Sequence, residues 1–268
     1  MDKLGLIAGG GRFPALLADS ARKCGVKEIV SIGFPGQTSP DIGEHVDRLF
    51  WLQIGQLGKI IKTLKREGVK EVVFAGSISP NLVVRKLKLD LRMIALAARV
   101  KDRTAETVLK AIGGEFAKDG LEMIDPTSFL TPLLPGPGVL SKRKPKGREA
   151  KDIEFGWKIA KKLAVMGVGQ TVIVKDRSIV AVEAMEGTNS AIARGGEVGG
   201  IGTVVVKVAK PGHDMRFDVP VIGPGTIRAL AESGAGAMAV EAGKTLFLDR
   251  EEALEEANER GIAIVARR

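Results

Sequence analysis

Tyrosine is absent from this chain of 268 residues, aromatic residues reach only 4%, and there are one cysteine and two histidines. Each shortage excludes something. Modules for single-stranded nucleic acid stack bases on aromatic platforms, which this sequence scarcely supplies. Cys24 has no partner for an internal disulfide, and with only His45 and His213 beside it a Cys/His zinc site cannot be completed. No run of about 18 apolar residues occurs, so no segment reads as a membrane-spanning helix. Met1-Asp2-Lys3-Leu4 leads straight into a strand-like segment without the layout of a secretory signal. A cytoplasmic protein is expected.

What is present is an ordinary globular composition, with 44% hydrophobic and 27% charged residues. The length suits one large domain or two smaller ones. The charge is +9, from 41 Lys and Arg against 32 Asp and Glu. That excess favours anionic partners such as phosphates, nucleic acid or an anionic membrane surface, and it equally fits a lysine-rich solubilising surface.

The first half alternates strand and helix patterns. Residues 3–8 read as a buried strand and 14–24 as a helix with Pro14 in its first turn. Residues 28–32 read as a second strand. Leu57, Ile60, Ile61 and Leu64 make a helical stripe, followed by a strand over 71–75. Helices are predicted over 89–99 and 104–118 and a short strand over 121–124. Such alternation implies a mainly parallel sheet with helices on its faces. Residues 131–148 hold four prolines and end in Lys142-Arg143-Lys144-Pro145-Lys146-Gly147-Arg148, which reads as a solvated linker. After a helix over 149–165, strands are predicted over 171–175, 179–184, 203–208, 216–221, 245–248 and 263–266. Further helices fall over 225–233 and 250–260. The expectation is a two-domain α/β protein. Residues 1–130 form a Rossmann-like nucleotide- or phosphate-binding domain with a parallel sheet, 131–148 a linker, and 149–268 a mixed-sheet catalytic domain.

Gly9-Gly10-Gly11 joins a strand to a helix. There, backbone N–H groups and the helix N-terminus can face an anion, and Arg12 adds charge. A tight structural turn is the alternative. Pro14 stands where a dinucleotide fingerprint needs a third glycine, and the second strand ends in Gly33-Phe34 without an acid for a ribose hydroxyl. Gly76 and Ser77 end another strand on the same side. In Arg216-Phe217-Asp218 strand alternation puts Arg216 and Asp218 on one face, where the carboxylate stays ionised and can hold a metal or orient water. An aspartate capping a turn before Pro220 is the alternative. No Gly-x-Ser-x-Gly elbow and no Walker lysine motif occurs, which disfavours serine hydrolase and P-loop chemistry.

Several segments occur in a telling order: Gly5-Leu-Ile-Ala-Gly-Gly-Gly11, Phe74-Ala-Gly76, Ala181-Val-Glu-Ala-Met-Glu-Gly-Thr188, Lys210-Pro211 leading to Arg216-Phe-Asp218-Val-Pro220, and Ile222-Gly223. Together they resemble the LpxI-type UDP-2,3-diacylglucosamine pyrophosphatases of lipid A biosynthesis, over nearly the whole chain. The resemblance implies a hydrolase that splits the pyrophosphate of a UDP-linked diacylated glucosamine into UMP and lipid X, with Mg²⁺ or another divalent cation. It implies Asp218 as the essential aspartate, of the Arg-x-Asp-x-Pro motif. On this reading Gly9, Gly10, Gly11, Arg12, Gly76, Ser77, Gly187, Thr188 and Arg216 bind substrate. Asp218, with Glu183, Glu186 and Glu106 as second choices, holds the metal. The protein is expected in the cytoplasm, peripheral on the inner face of the inner membrane, with the basic linker drawn to anionic lipid. Where the family has acids, this chain has Asn189 and Ala105. Another nucleotide conjugate, handled by the Rossmann-like half, is the competing enzyme reading. Nucleic-acid binding through Lys142–Arg148 is the competing non-enzyme reading, and nucleic acid is not an expected partner.

Overall fold

The computed structural model describes the backbone of residues 1–78, 88–101, 105–210, 212, 214–216 and 219–268, with side chains except at 105 and 106. The chain forms two compact units. One is Met1–Leu130 with Asp214–Phe217, the other Thr131–His213 with Asp218–Arg268.

The first unit holds β1 (Lys3–Ala8), α1 (Phe13–Lys23), β2 (Glu28–Gly33), β3 (Arg48–Trp51), α2 (Leu57–Arg66), β4 (Glu71–Ala75), α3 (Leu91–Arg99), α4 (Ala105–Lys118) and β5 (Glu122–Met123). Its strands run parallel in the order β3-β2-β1-β4-β5. The sheet is Rossmann-like: the order reverses between β1 and β4, and the loops leaving those two strands flank the switch point where such sheets take ligands. β1 and β2 are buried along almost their whole length, as strands covered on both faces require. Leu57, Ile60, Ile61 and Leu64 on α2 are the stripe that packs on the sheet core.

α3 and α4 are held together by charge. Glu115 on α4, 6% exposed, accepts from Lys118 Nζ at 2.6 Å, Arg92 Nε at 2.8 Å and Arg99 Nη2 at 3.0 Å. The hydrogen bonds from Lys118 and Arg92 hold its carboxyl down to about 2 against an ordinary 4.5.

The second unit holds β6 (Gly138–Val139), α5 (Gly147–Met166), β7 (Thr171–Lys175), β8 (Ser178–Val182), α6 (Thr188–Gly199), β9 (Val204–Lys207), β10 (Val221–Ile222), α7 (Pro224–Glu232), β11 (Ala237–Glu241), β12 (Leu246–Phe247), α8 (Arg250–Glu259) and β13 (Ala263–Arg267). Six strands make a mixed sheet in the order β6-β13-β11-β9-β7-β8, and β10 pairs with β12 apart from it. β9, β11 and β13 are parallel, while β7 runs antiparallel to both β8 and β9. Ile153, Ala160 and Ala164 of α5 pack on one face of this sheet. Ile192 of α6, Ile227 and Leu230 of α7 and Ala253 and Ala257 of α8 pack on the other.

Two expectations need correction. Residues 131–148 are no free linker. β6 pairs antiparallel with β13, and Ser141 Oγ accepts the Ile264 N–H at 2.8 Å. Arg143 donates to both oxygens of Glu149 and to the carbonyls of Gly261 and Gly236. These acceptors recruit this one cation into the fold, while Lys142, Lys144, Lys146 and Arg148 stay exposed. Of the strand predicted over 216–221, the described residues show Val221–Ile222 as strand and Arg216 in a turn. Its side chain ties back to Asp214 two residues earlier, a local bond that competes with extended backbone.

A carboxyl held near 2 in the fold but near 4.5 unfolded stabilises the protein above about pH 4.5, and that contribution fades as the pH falls toward 2. Glu115→Gln should lower the melting temperature at pH 7 by roughly 2–8 °C, for about 1–2 kcal/mol lost. It should also flatten the decline in melting temperature between pH 5 and 2. Equal acid sensitivity in variant and wild type, by calorimetry, would contradict this role.

Candidate functional site

At the switch point of the first sheet the loops after β1 and β4 are joined through their backbones. Gly9 N–H donates to Ala75 O at 2.7 Å, Gly10 N–H to Ser77 O at 2.7 Å, and Ser77 N–H to Gly10 O at 3.1 Å. A Cβ at Gly9 would stand 2.6 Å from Ser77 O, and one at Gly76 2.5 Å from Gly10 O, so only glycine permits this approach. The structure thus brings Gly9, Gly10, Gly76 and Ser77 together, but the N–H groups of Gly9 and Gly10 already serve protein carbonyls. Those bonds make the two glycines part of the scaffold that joins the loops. Gly11 keeps an open side, with nothing within 4 Å of where its Cβ would be, and exposed Arg12 precedes the first turn of α1.

Arg216 belongs to the first unit by its contacts. It binds Asp214 through Nε at 2.8 Å and Nη2 at 2.7 Å. The hydrogen bond raises the guanidinium above its ordinary value and lowers the Asp214 carboxyl below its own. Both side chains line a cavity of about 540 Å³ with Lys110, Gly113, Ala117 and Met123. Asp214 is the carboxylate seen at Arg216 among the described residues; Asp218 lies outside them, as does the side chain of Glu106.

The remaining predicted residues meet at the carboxyl ends of the second sheet. Pairing of Val182 with Val172, Thr171 with Lys207, Lys207 with Val240, and Glu241 with Arg267 lines up the ends of β8, β9, β11 and β13 along one edge. Lys207, only 7% exposed, donates from Nζ to Thr188 Oγ1 at 2.6 Å. Thr188 donates in turn to Glu183 Oε1 at 2.7 Å. The other Glu183 oxygen is buried without a hydrogen-bond partner among the described residues. Gly187 makes this possible: its φ of +83° turns the chain from the β8 loop into α6, setting Thr188 at the first position of the helix. Glu241, at the end of β11, accepts from Lys161 Nζ and, at 2.8 Å, from Ala209 N–H, and pairs with Lys244 at 2.9 Å. Burial alone would raise its carboxyl; the bonds from Lys161 and Lys244 outweigh that and hold it below the ordinary range. Glu241 thereby fixes the chain where it leaves β9 for the segment that carries Arg216 and Asp218.

Of the four residues expected to hold a metal, the side chains of Glu183 and Glu186 are described. Glu186 is engaged by Arg194 and by the Ala184 N–H, and Glu183 by Thr188. Among the described residues no group of three His, Cys, Asp or Glu side chains could hold an ion. Lys207, Glu241 and Lys161 were missed in the sequence. The signal for Lys207 was a cation closing the fully apolar run Val204–Val206, and for Glu241 an acid closing Ala237–Val240.

Fold and sites define an α/β protein of two main sheets, each collecting polar groups at the carboxyl ends of its parallel strands. The LpxI N-terminal domain family matches residues 3–133 and the LpxI C-terminal domain family residues 136–265. The chain belongs to the LpxI family. It is 31% identical over 287 aligned residues to a Caulobacter vibrioides protein, UDP-2,3-diacylglucosamine pyrophosphatase LpxI, covering 99% of this chain and 97% of that one. Among solved structures, a GalE-like L-threonine dehydrogenase from Cupriavidus necator aligns with a TM-score of 0.31 and 11% identity, covering 97% of this chain and 94% of that one. A biotin carboxylase subunit of pyruvate carboxylase aligns with a TM-score of 0.27 and 13% identity, covering 69% and 39%.

Thr188→Val keeps the shape of the side chain but removes the hydroxyl between the buried Lys207 ammonium and the Glu183 carboxylate. It should destabilise the protein by about 1–3 kcal/mol in urea unfolding, while Thr188→Ser stays near wild type. Equal stability of the valine variant would show that the hydroxyl does not join the two charges.

Proposed function

We propose that this protein hydrolyses the pyrophosphate bond of UDP-2,3-diacylglucosamine, giving UMP and 2,3-diacylglucosamine 1-phosphate. The observation that carries the reading is the match to the Caulobacter vibrioides pyrophosphatase over 99% of the chain, with both family domains in order. In the reaction the oxygen of water forms a bond to one phosphorus, the bridging P–O bond breaks, and each product leaves with one phosphate. Asp218 orients or activates that water. The polyanionic pyrophosphate needs cations near it as charge builds on the leaving phosphate. Each unit offers such a cation of its own: Arg216 in the first, and Lys207, ordered through Thr188 and Glu183, in the second. The open side of the turn at Gly11 and Arg12 suits the nucleotide phosphate, with the α1 N-terminus behind it. Mg²⁺ enters through the family resemblance: Asp218 would hold it, and it would offset charge on the pyrophosphate. A substrate with two acyl chains places the work at the inner membrane's cytoplasmic face.

Asp218→Asn should lower UMP release by at least about two orders of magnitude while leaving substrate binding intact. Turnover near wild type would remove Asp218 from the mechanism. The same assay with a chelator, then with Mg²⁺ restored, decides the cation.

A further inference from the structure

One helix of the first unit is apolar on two faces. Met93, Leu96 and Val100 point from α3 and its end into the core. Leu91, Ile94, Ala95 and Ala98, spaced for a second stripe, face outward and are exposed. Leu91 is 86% exposed, Ile94 50%, and Leu89 just before the helix 45%. A helix with apolar residues on both faces needs a second partner.

The charges around the stripe indicate which. Lys59 and Lys62 on α2, Lys88 before α3 and Lys101 after it are all exposed. Gly58 of α2 lies against Asp90 and Arg92, and Lys62 lines one cavity with Arg92, so α2 and its lysines neighbour α3. The nearby acids are engaged: Asp90 accepts the N–H groups of Gly58 and Met93, and Glu115 and Asp119 pair with Arg92. The geometry points to α3 as a docking helix for an anionic lipid bilayer. Leu89, Leu91 and Ile94 enter the boundary between headgroups and acyl chains, and the lysines meet lipid phosphates. A second copy of this chain fits less well, because a two-fold interface would set each lysine ring against itself. The inference rests on the proposed reaction only in choosing a lipid surface as the occupant.

The test is co-sedimentation of the full chain with phosphatidylcholine vesicles and with mixed phosphatidylglycerol–phosphatidylcholine vesicles. Wild type should bind the mixed vesicles and not the neutral ones. Leu91→Gln with Ile94→Gln, both at exposed positions and in a residue that favours helix, should weaken binding at least about tenfold. Lys59→Gln with Lys62→Gln should weaken it about fivefold per lysine. Binding unchanged in both variants, or equal binding to neutral vesicles, overturns the proposal. So does a wild-type dimer in sedimentation velocity that the Leu91→Gln, Ile94→Gln protein loses, which would make the face a contact between copies. Turnover on detergent-dispersed substrate should be the same in wild type and variants. Its absence in all of them would overturn the proposed reaction and leave the vesicle result standing.

Discussion

A lysine ammonium shut away from water at the end of a fully buried strand must find oxygen partners, and the site of the second unit is arranged around that requirement. Lys207 reaches Thr188, Thr188 reaches Glu183, and the three belong to different elements. Their bonds fix the start of α6 against the end of β9, with Gly187, at a φ of +83°, supplying the turn into the helix. One strand away Glu241 meets the same demand in reverse, a buried carboxylate answered by Lys161, Lys244 and a backbone N–H. Charges so ordered are held in place by the fold itself.

The first unit solves a different problem by backbone means. Two loops at its switch point touch through reciprocal hydrogen bonds, and a side chain at Gly9 or Gly76 would part them. The glycines were legible in the sequence as a functional turn, but their immediate work is to close the sheet's ligand-facing end. What is left for a ligand is the outer side at Gly11 and Arg12. A glycine-rich turn reads the same in sequence whether its N–H groups face an anion or a neighbouring carbonyl, because the deciding contact comes from Ser77, far along the chain.

Much of the fold was legible where apolar periodicity is strong. The stripe on α2 and the valine-rich runs of β7 and β9 lie where their pattern places them. β11 was missed because Ala237-Met-Ala-Val-Glu241 has little strand propensity of its own; it is a strand because β9 and β13 pair with it on both sides. β3 was missed because a four-residue edge strand with half-exposed residues carries little alternation. The basic stretch from Lys142 to Arg148 looked solvated by composition, yet Arg143 is drawn inward by Glu149 and two carbonyls that no local pattern reveals. In the site, Glu183 and Thr188 came from a motif, whereas Lys207 could be found only by asking why a cation ends an apolar strand.

The central claim is that the chain cleaves between two phosphorus atoms. The measurement that bears on it most directly is phosphorus NMR of the purified protein acting on UDP-2,3-diacylglucosamine. Equal appearance of UMP and 2,3-diacylglucosamine 1-phosphate, with loss of the diphosphate resonances, is the predicted result. Release of UDP with an unphosphorylated sugar, or an unchanged diphosphate signal, would contradict it.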